Sequence, residues 1–202
     1  MYSFRPNLII GFHGCEAKDQ QQILNNPKYF KKSQQNYDWL GHGMYFWEND
    51  PERARLWAEK KKKAGTLKEP AIIGAVIDLG YCLDMFSNKS IEIIKEAYKL
   101  LKSESEALKK PIPENIDHPK EKNGDKVLRE LDCAVIQYAH SFFKKEGYKG
   151  FDSVRAAFIE GKEIYPNAGF NERTHIQICI INPNCIKGFF LEREINNNFP
   201  SV

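Results

Sequence analysis

The chain has no apolar stretch near the roughly 18 residues that span a membrane. Its opening residues, MYSFRPNLIIGFHG, lack the extended apolar region of a secretory signal. There is no CxxC pair, and the five cysteines (Cys15, Cys82, Cys133, Cys179 and Cys185) are odd in number and scattered. This spacing argues against a disulfide framework and a zinc site, and for reduced thiols in a cytoplasmic protein. No His, Cys or Asp cluster has metal-ligand spacing, so no metal is expected. Neither GxGxxG nor a Walker A segment occurs, which argues against a Rossmann or P-loop site. A dominant charge is missing as well. Thirty Lys+Arg against 27 Asp+Glu leave +3, too weak to demand a nucleic-acid partner and no bar to one.

What the chain does have is ordinary globular composition. Of its 202 residues, 42% are hydrophobic and 28% charged, and 13 Phe, nine Tyr and three Trp are ample to fill a core. One domain covering residues 1–202 is expected. The run LIIGFH at 8–13 predicts a buried strand that ends at Gly14, and 16–25 a weakly patterned helix. GMYFW at 43–47 predicts a short strand, followed at once by a strong helix start with Asp50 as cap, Pro51 in the first turn and Glu52 on the dipole. AIIGAVIDL at 71–79 is the clearest strand. Two helical periodicities follow, through Ile91, Ile94 and Leu101 and through Leu128, Leu131, Val135 and Phe142. Between them, residues 109–125 carry three prolines and many charges, the composition of a mobile surface loop. Strands return at 151–158, 174–182 and 186–192. The expected class is α+β, a mostly antiparallel β-core with a helical insertion over about 87–147.

Three segments carry chemistry. His13 ends a buried strand beside Gly14, which lets a backbone or ligand approach closely. Gly41 and Gly43 allow a tight turn before a strand bearing Tyr45, whose ring offers a flat stacking face. In the strand at 174–182 the alternation puts His175, Gln177 and Cys179 on one face and isoleucines on the other, so Gln177 is the polar residue aimed into a cleft. Cys15, two residues from His13, could be a nucleophile, but nothing supplies an orienting third group.

Taken together, FHG, GHGMYFW followed by a helix, and the late strand QICIINPNCI resemble the ADP-ribosyltransferase superfamily, in the branch shared by poly-ADP-ribose polymerases and diphtheria toxin. The resemblance covers about residues 8–80 and 150–192. It implies a split β-core with an NAD cleft between its halves. It also implies that His13 bonds the nicotinamide ribose, that the Gly14 backbone holds the nicotinamide amide, and that Tyr45 stacks on the ring. Gln177 falls where the family has its catalytic glutamate. A glutamine there keeps a ribose hydrogen bond and loses the charge that stabilises a cationic, oxocarbenium-like transition state, a change of roughly 3–4 kcal/mol in barrier. Glu160, Glu163 and Glu172 are alternative carboxylates. Arg155 is a further expected contact to diphosphate or acceptor.

The resemblance therefore implies a mono-ADP-ribosyltransferase that uses NAD as donor and acts on a macromolecule in the cytoplasm. A toxin with a neutralising antitoxin, or a phage-defence protein, fits that reading. The loop 159–173, with Glu160, Lys162, Tyr165, Phe170, Glu172 and Arg173, matches in position the loop that faces the acceptor and mixes aromatic with basic residues. Lys28, Tyr29, Phe30, Lys31, Lys32, Tyr37 and Trp39 interleave basic and aromatic residues in the same way, which favours RNA over protein as acceptor. A non-catalytic NAD- or ADP-ribose-binding module and a single-stranded nucleic-acid-binding protein are the competing classes.

Overall fold

The first strand lies inside the sheet, paired on both of its edges. In the computed structural model, which describes residues 8–119, 124–194 and 196–199, β1 (Ile9–Glu16) runs straight into α1 (Ala17–Asn25) without a loop. The junction is held from outside: the Glu16 carboxylate accepts from the N–H groups of Lys68 and Glu69, and the Ala17 N–H donates to the Glu69 carbonyl. β2 (Met44–Glu48) leads into α2 (Pro51–Lys63), which starts as the sequence predicts, with the Asp50 carboxylate accepting from the Arg53 N–H at 2.9 Å. β3 (Pro70–Ile77) and the three-residue β4 (Cys82–Asp84) follow. The helical pair is α3 (Asn88–Ala107) and α4 (Glu130–Lys145), with a two-stranded β5 (Asn115–Ile116) and β6 (Leu128–Arg129) between. β7 (Ser153–Phe158), β8 (His175–Ile180) and β9 (Ile186–Phe190) complete the chain.

Seven strands form one sheet in the order β4-β7-β8-β2-β1-β3-β9, and only the β4–β7 pair is parallel. The class is α+β, as expected, with a large antiparallel-rich sheet. One face is covered by Phe46, Ile77, Ile178 and Ile180, all fully buried, with Phe30 and Phe189 against them. The other face divides. Over β1 and β2, α2 buries Ala54 on Phe12 and Trp47. Over β7 and β8, Ile136 of α4 packs with Leu40, Leu83, Val154 and Cys179.

Two expectations need correction here. The helical pair is an insertion in chain order, yet α4 is a wall of the main core. The segment 109–125 was expected to be a mobile loop. Its residues 120–123 lie outside the described residues, but Asn115, Asp117, Gly124 and Asp125 are bonded into the fold. Asn115 Oδ1 accepts from the N–H groups of Leu131 and Asp132, capping α4 from 16 residues upstream, and Asp117 accepts from the N–H groups of Gly124 and Lys126. One amide and one carboxylate of the segment thus act as side-chain caps for backbone N–H groups.

Candidate active site

The site begins where β1 and β2 part. β1 pairs with β3 along its whole length, from Ile9↔Ile77 to Glu16↔Pro70, but with β2 only at Gly11↔Glu48 and Phe12↔Trp47. The Asn49 N–H donates to the Ile10 carbonyl at 2.9 Å, so even-numbered residues of β1 aim their backbone groups at β2. The next hydrogen-bonded pair in that register would be Gly14 with Tyr45. The ladder stops one step short of it, and His13 Nδ1 instead lies 2.8 Å from the Tyr45 carbonyl. The Gly14 N–H and C=O thus face the gap between the strands. Its glycine is required: a Cβ there would meet the Ala54 carbonyl oxygen at 2.5 Å and Trp57 at 3.1 Å.

Because a carbonyl only accepts, the bond to Tyr45 places the His13 proton on Nδ1 and leaves Nε2 as an acceptor. Burial lowers the His13 pKa to about 4, so the ring is neutral near pH 7. Phe30 meets it edge-on at 4.7 Å, and Trp57 lies 6.4 Å away.

The Tyr45 hydroxyl is bound at both ends of its capacity. It donates to the Gly41 carbonyl at 2.6 Å and accepts from the Leu40 N–H at 2.8 Å, and burial raises its pKa. The GHG turn thereby fixes the ring of the strand that follows. Gln177 is the cross-strand neighbour of Trp47 and Ala156, on the same sheet face as Tyr45 and Cys179. It is half-buried, and its side chain has no hydrogen bond to the protein among the described residues.

Next to Gln177 on that face lies a buried polar network. Arg53, from the first turn of α2, pairs with Glu160 at 2.8 Å and reaches His175 Nδ1 at 3.2 Å. His175 Nδ1 lies 2.8 Å from the Arg173 carbonyl and 3.5 Å from Glu160 Oε2. Burial raises the Glu160 pKa, with the nearby Arg53 and Arg173 pulling the other way, and burial lowers that of His175 to about 4. Arg173 pairs with Asp125 at 2.7 Å, and Arg129 covers the rings of Trp39 and Phe158. Trp47 Nε1, Arg53 Nε, Arg129 Nε and His175 Nε2 are buried without a protein partner. Buried polar atoms left unpaired in this way are commonly met by ordered water or a polar ligand.

The remaining expected residues fall in different places. Of the alternative carboxylates, Glu160 is in this network. Glu163 accepts from the Asn167 N–H, and Glu172 Oε2 lies 3.4 Å from the Lys162 N–H; both sit on the exposed part of their loop. That loop is closed at its base by the Arg173 N–H bonded to the Glu160 carbonyl, and its tip exposes Ile164, Tyr165 and Phe170. Arg155 lies on the opposite face of the sheet from Gln177. Its three guanidinium nitrogens meet Glu48 at 2.5 and 2.9 Å and Asp84 at 3.4 Å. In the 28–39 segment Tyr29 and Tyr37 are exposed, whereas Phe30 belongs to the core and Trp39 Nε1 donates to the Val127 carbonyl.

Sequence reasoning missed Arg53, which sits on a helix recognised by its cap; the Arg53–Glu160 contact spans 107 positions. Among the described residues no group of three or more His, Cys, Asp or Glu could hold a metal ion. No helix there is long and apolar enough to cross a membrane.

No family model matches the chain, and no solved structure matches it. It is similar to an uncharacterized protein of the archaeon Methanocaldococcus jannaschii, at 28% identity over 197 residues that take in 87% of this chain and 83% of the relative.

Proposed function

We propose that the protein is an NAD-dependent mono-ADP-ribosyltransferase acting on a macromolecule, with RNA favoured over protein. One observation carries the reading: the register break at which His13 takes the Tyr45 carbonyl and the Gly14 backbone is left facing the gap. A carboxamide needs one donor and one acceptor side by side, and the Gly14 N–H and C=O offer that pair. The neutral His13 presents Nε2 as acceptor for a ribose hydroxyl. Tyr45, pinned through its hydroxyl, has its ring held for stacking without further loss of side-chain freedom. On the Gln177 face of the sheet, Trp47 Nε1, Arg53 Nε and His175 Nε2 are buried without a protein partner, which marks that face as polar.

NAD would supply a C–N glycosidic bond that breaks with its electron pair leaving on nicotinamide, while the acceptor bonds the same carbon and gives up a proton. The chain's own part is to bind, orient and compensate charge. Gln177 contributes a hydrogen bond near the reacting carbon. Glu160 contributes negative charge on the same side of the sheet, held in place by Arg53.

RNA is favoured because Tyr29 and Tyr37 stand exposed in a segment that also carries Lys28, Lys31 and Lys32, and Tyr165 and Phe170 stand exposed in a loop that carries Lys162 and Arg173 beside Glu163 and Glu172. A cytoplasmic toxin with a neutralising antitoxin rests on the resemblance alone and belongs to the same proposal. The test is nicotinamide release from NAD on addition of RNA, single-stranded DNA or protein extract. RNA-dependent release supports the reading, and the absence of release with every acceptor refutes it.

A further inference from the structure

Four residues beyond Gln177, about 13 Å along the strand direction at 3.3 Å per residue, a hollow of about 360 Å³ opens beside Ile181. It lies between α4, the 147–151 turn and the GHG turn, and the transfer reading makes no use of it. His42, Gln137, His140, Lys144 and Tyr148 line it. His140 stands edge-on to Phe151 at 5.7 Å, and its Nε2 is buried with no protein partner. Lys144, one helical turn further along α4, shares that helix face. Tyr148 exposes most of its ring at the mouth. Gly147 and Gly150 have open space where a Cβ would stand, so the turn leaves the entrance clear.

These features suit one kind of ligand. An imidazole, an amide and a second imidazole offer several hydrogen-bonding edges, an exposed phenol offers a stacking face, and a lysine offers a cation. Among the described residues no carboxylate lines the hollow. In the neighbouring sequence Lys145 adds a positive charge and Glu146 a negative one, while Asp152 is engaged by Lys149, Asn182 and the Tyr81 N–H. Its size falls at the lower end of the roughly 300–1,000 Å³ of ligand sites, room for one base with its phosphate.

We infer that this hollow binds a single nucleotide unit, with the base stacked on Tyr148 and held by His140 and Gln137, and the phosphate at Lys144. The unit comes either as a free nucleotide or as one residue of a single strand. The site stands apart from the split, and the inference holds whether or not the chain transfers ADP-ribose.

The test is titration of the full chain, without NAD, with uridine 5′-monophosphate and separately with a short oligouridylate. Wild type is compared with His140→Ala, Tyr148→Ala and Lys144→Gln. Tyr148 is exposed, so its variant keeps the fold and secures the result if His140→Ala does not. Binding of either probe that weakens roughly tenfold in Tyr148→Ala, the low end of what one stacked base contributes, supports the site. Mononucleotide binding as tight as the oligomer's marks a free nucleotide. Tighter, salt-sensitive oligomer binding marks a strand. Failure of both probes to bind, or equal binding by wild type and Tyr148→Ala, overturns the inference.

Discussion

His13 Nδ1 and the Tyr45 carbonyl oxygen, 2.8 Å apart, stand where a strand-to-strand hydrogen bond would otherwise be. A side chain has replaced the Gly14 N–H as the partner of Tyr45, and this opens the sheet at one backbone position while keeping the carbonyl satisfied. Buried carbonyls are seldom left unpaired, so the histidine is what makes the opening tolerable. The same bond fixes the tautomer that the proposed ribose contact needs.

Tyr45 separates structure from stacking. Tyr45→Phe keeps the ring but leaves the Leu40 N–H without its partner and the Gly41 carbonyl with only the Cys179 thiol at 3.6 Å, and is expected to cost about 1–3 kcal/mol of stability with transfer within a few-fold of wild type. Tyr45→Ala also removes a ring packed against the core, and is expected to lower the melting temperature further and abolish transfer. Thermal melting and nicotinamide release on both variants check this. Equal loss of activity in the two would place the hydroxyl, and not the ring, at the reaction.

Gln177 bears on charge. Gln177→Glu is expected to raise NAD hydrolysis, by up to roughly 10²-fold if a full electrostatic contribution is restored. Gln177→Ala is expected to lower transfer with little change in melting, since the amide holds nothing in the protein. Initial rates of nicotinamide release decide it. Wild-type rates for Gln177→Ala would remove the residue from the site.

Glu160 and Arg53 form a buried pair whose halves cannot be removed singly without cost. Glu160→Gln leaves the Arg53 guanidinium without its carboxylate, and is expected to destabilise by about 3 kcal/mol, as when one partner of a buried pair is lost. A double variant, Arg53→Met with Glu160→Met, is expected to recover much of that stability and no activity. Denaturant unfolding and transfer assays on the three proteins check both halves. Full activity in the stable double variant would exclude Glu160 from catalysis.

Stability should depend on acid in a defined window. His13, His140 and His175 each titrate near 4 in the fold against 6.5 when exposed, because burial disfavours the charged ring. Between those values the unfolded chain binds more protons, so stability is full above pH 6.5 and falls as pH drops towards 4, by up to about 1.4 kcal/mol per unit for each ring. The raised Glu160 pKa acts in the opposite sense, favouring the fold as that carboxyl protonates. Chemical denaturation at stepped pH checks the slope, and His140→Gln should make it shallower. An unchanged slope in that variant would show that His140 is charged in the fold.

Much of the fold was legible because its signals are local. Asp50 with Pro51 announced α2, and the alternation through His175, Gln177 and Cys179 gave the correct faces of β8. What stayed hidden is held by partners distant in sequence. β4 is three residues long and exists by pairing with β7 some seventy positions later. Phe30 looked like a nucleic-acid contact and is instead core, because Phe46 and Phe189 surround it. For the candidate site, His13, Gly14, Tyr45 and Gln177 could be picked out as motif residues. The register break, the pinned hydroxyl and the Arg53–Glu160–His175 network needed the sheet assembled.

The most direct measurement adds NAD, labelled on its adenylate phosphate, to cell lysate with wild-type protein or His13→Ala, then divides the product between nuclease and protease digestion. The proposed function predicts label in the macromolecular fraction with wild type, removed by nuclease, and at least ~10²-fold less with His13→Ala at an unchanged melting temperature, the scale of losing a transition-state contact. Label removed by protease alone would move the acceptor to protein. No macromolecular label with wild type, or equal label with His13→Ala, would contradict the account.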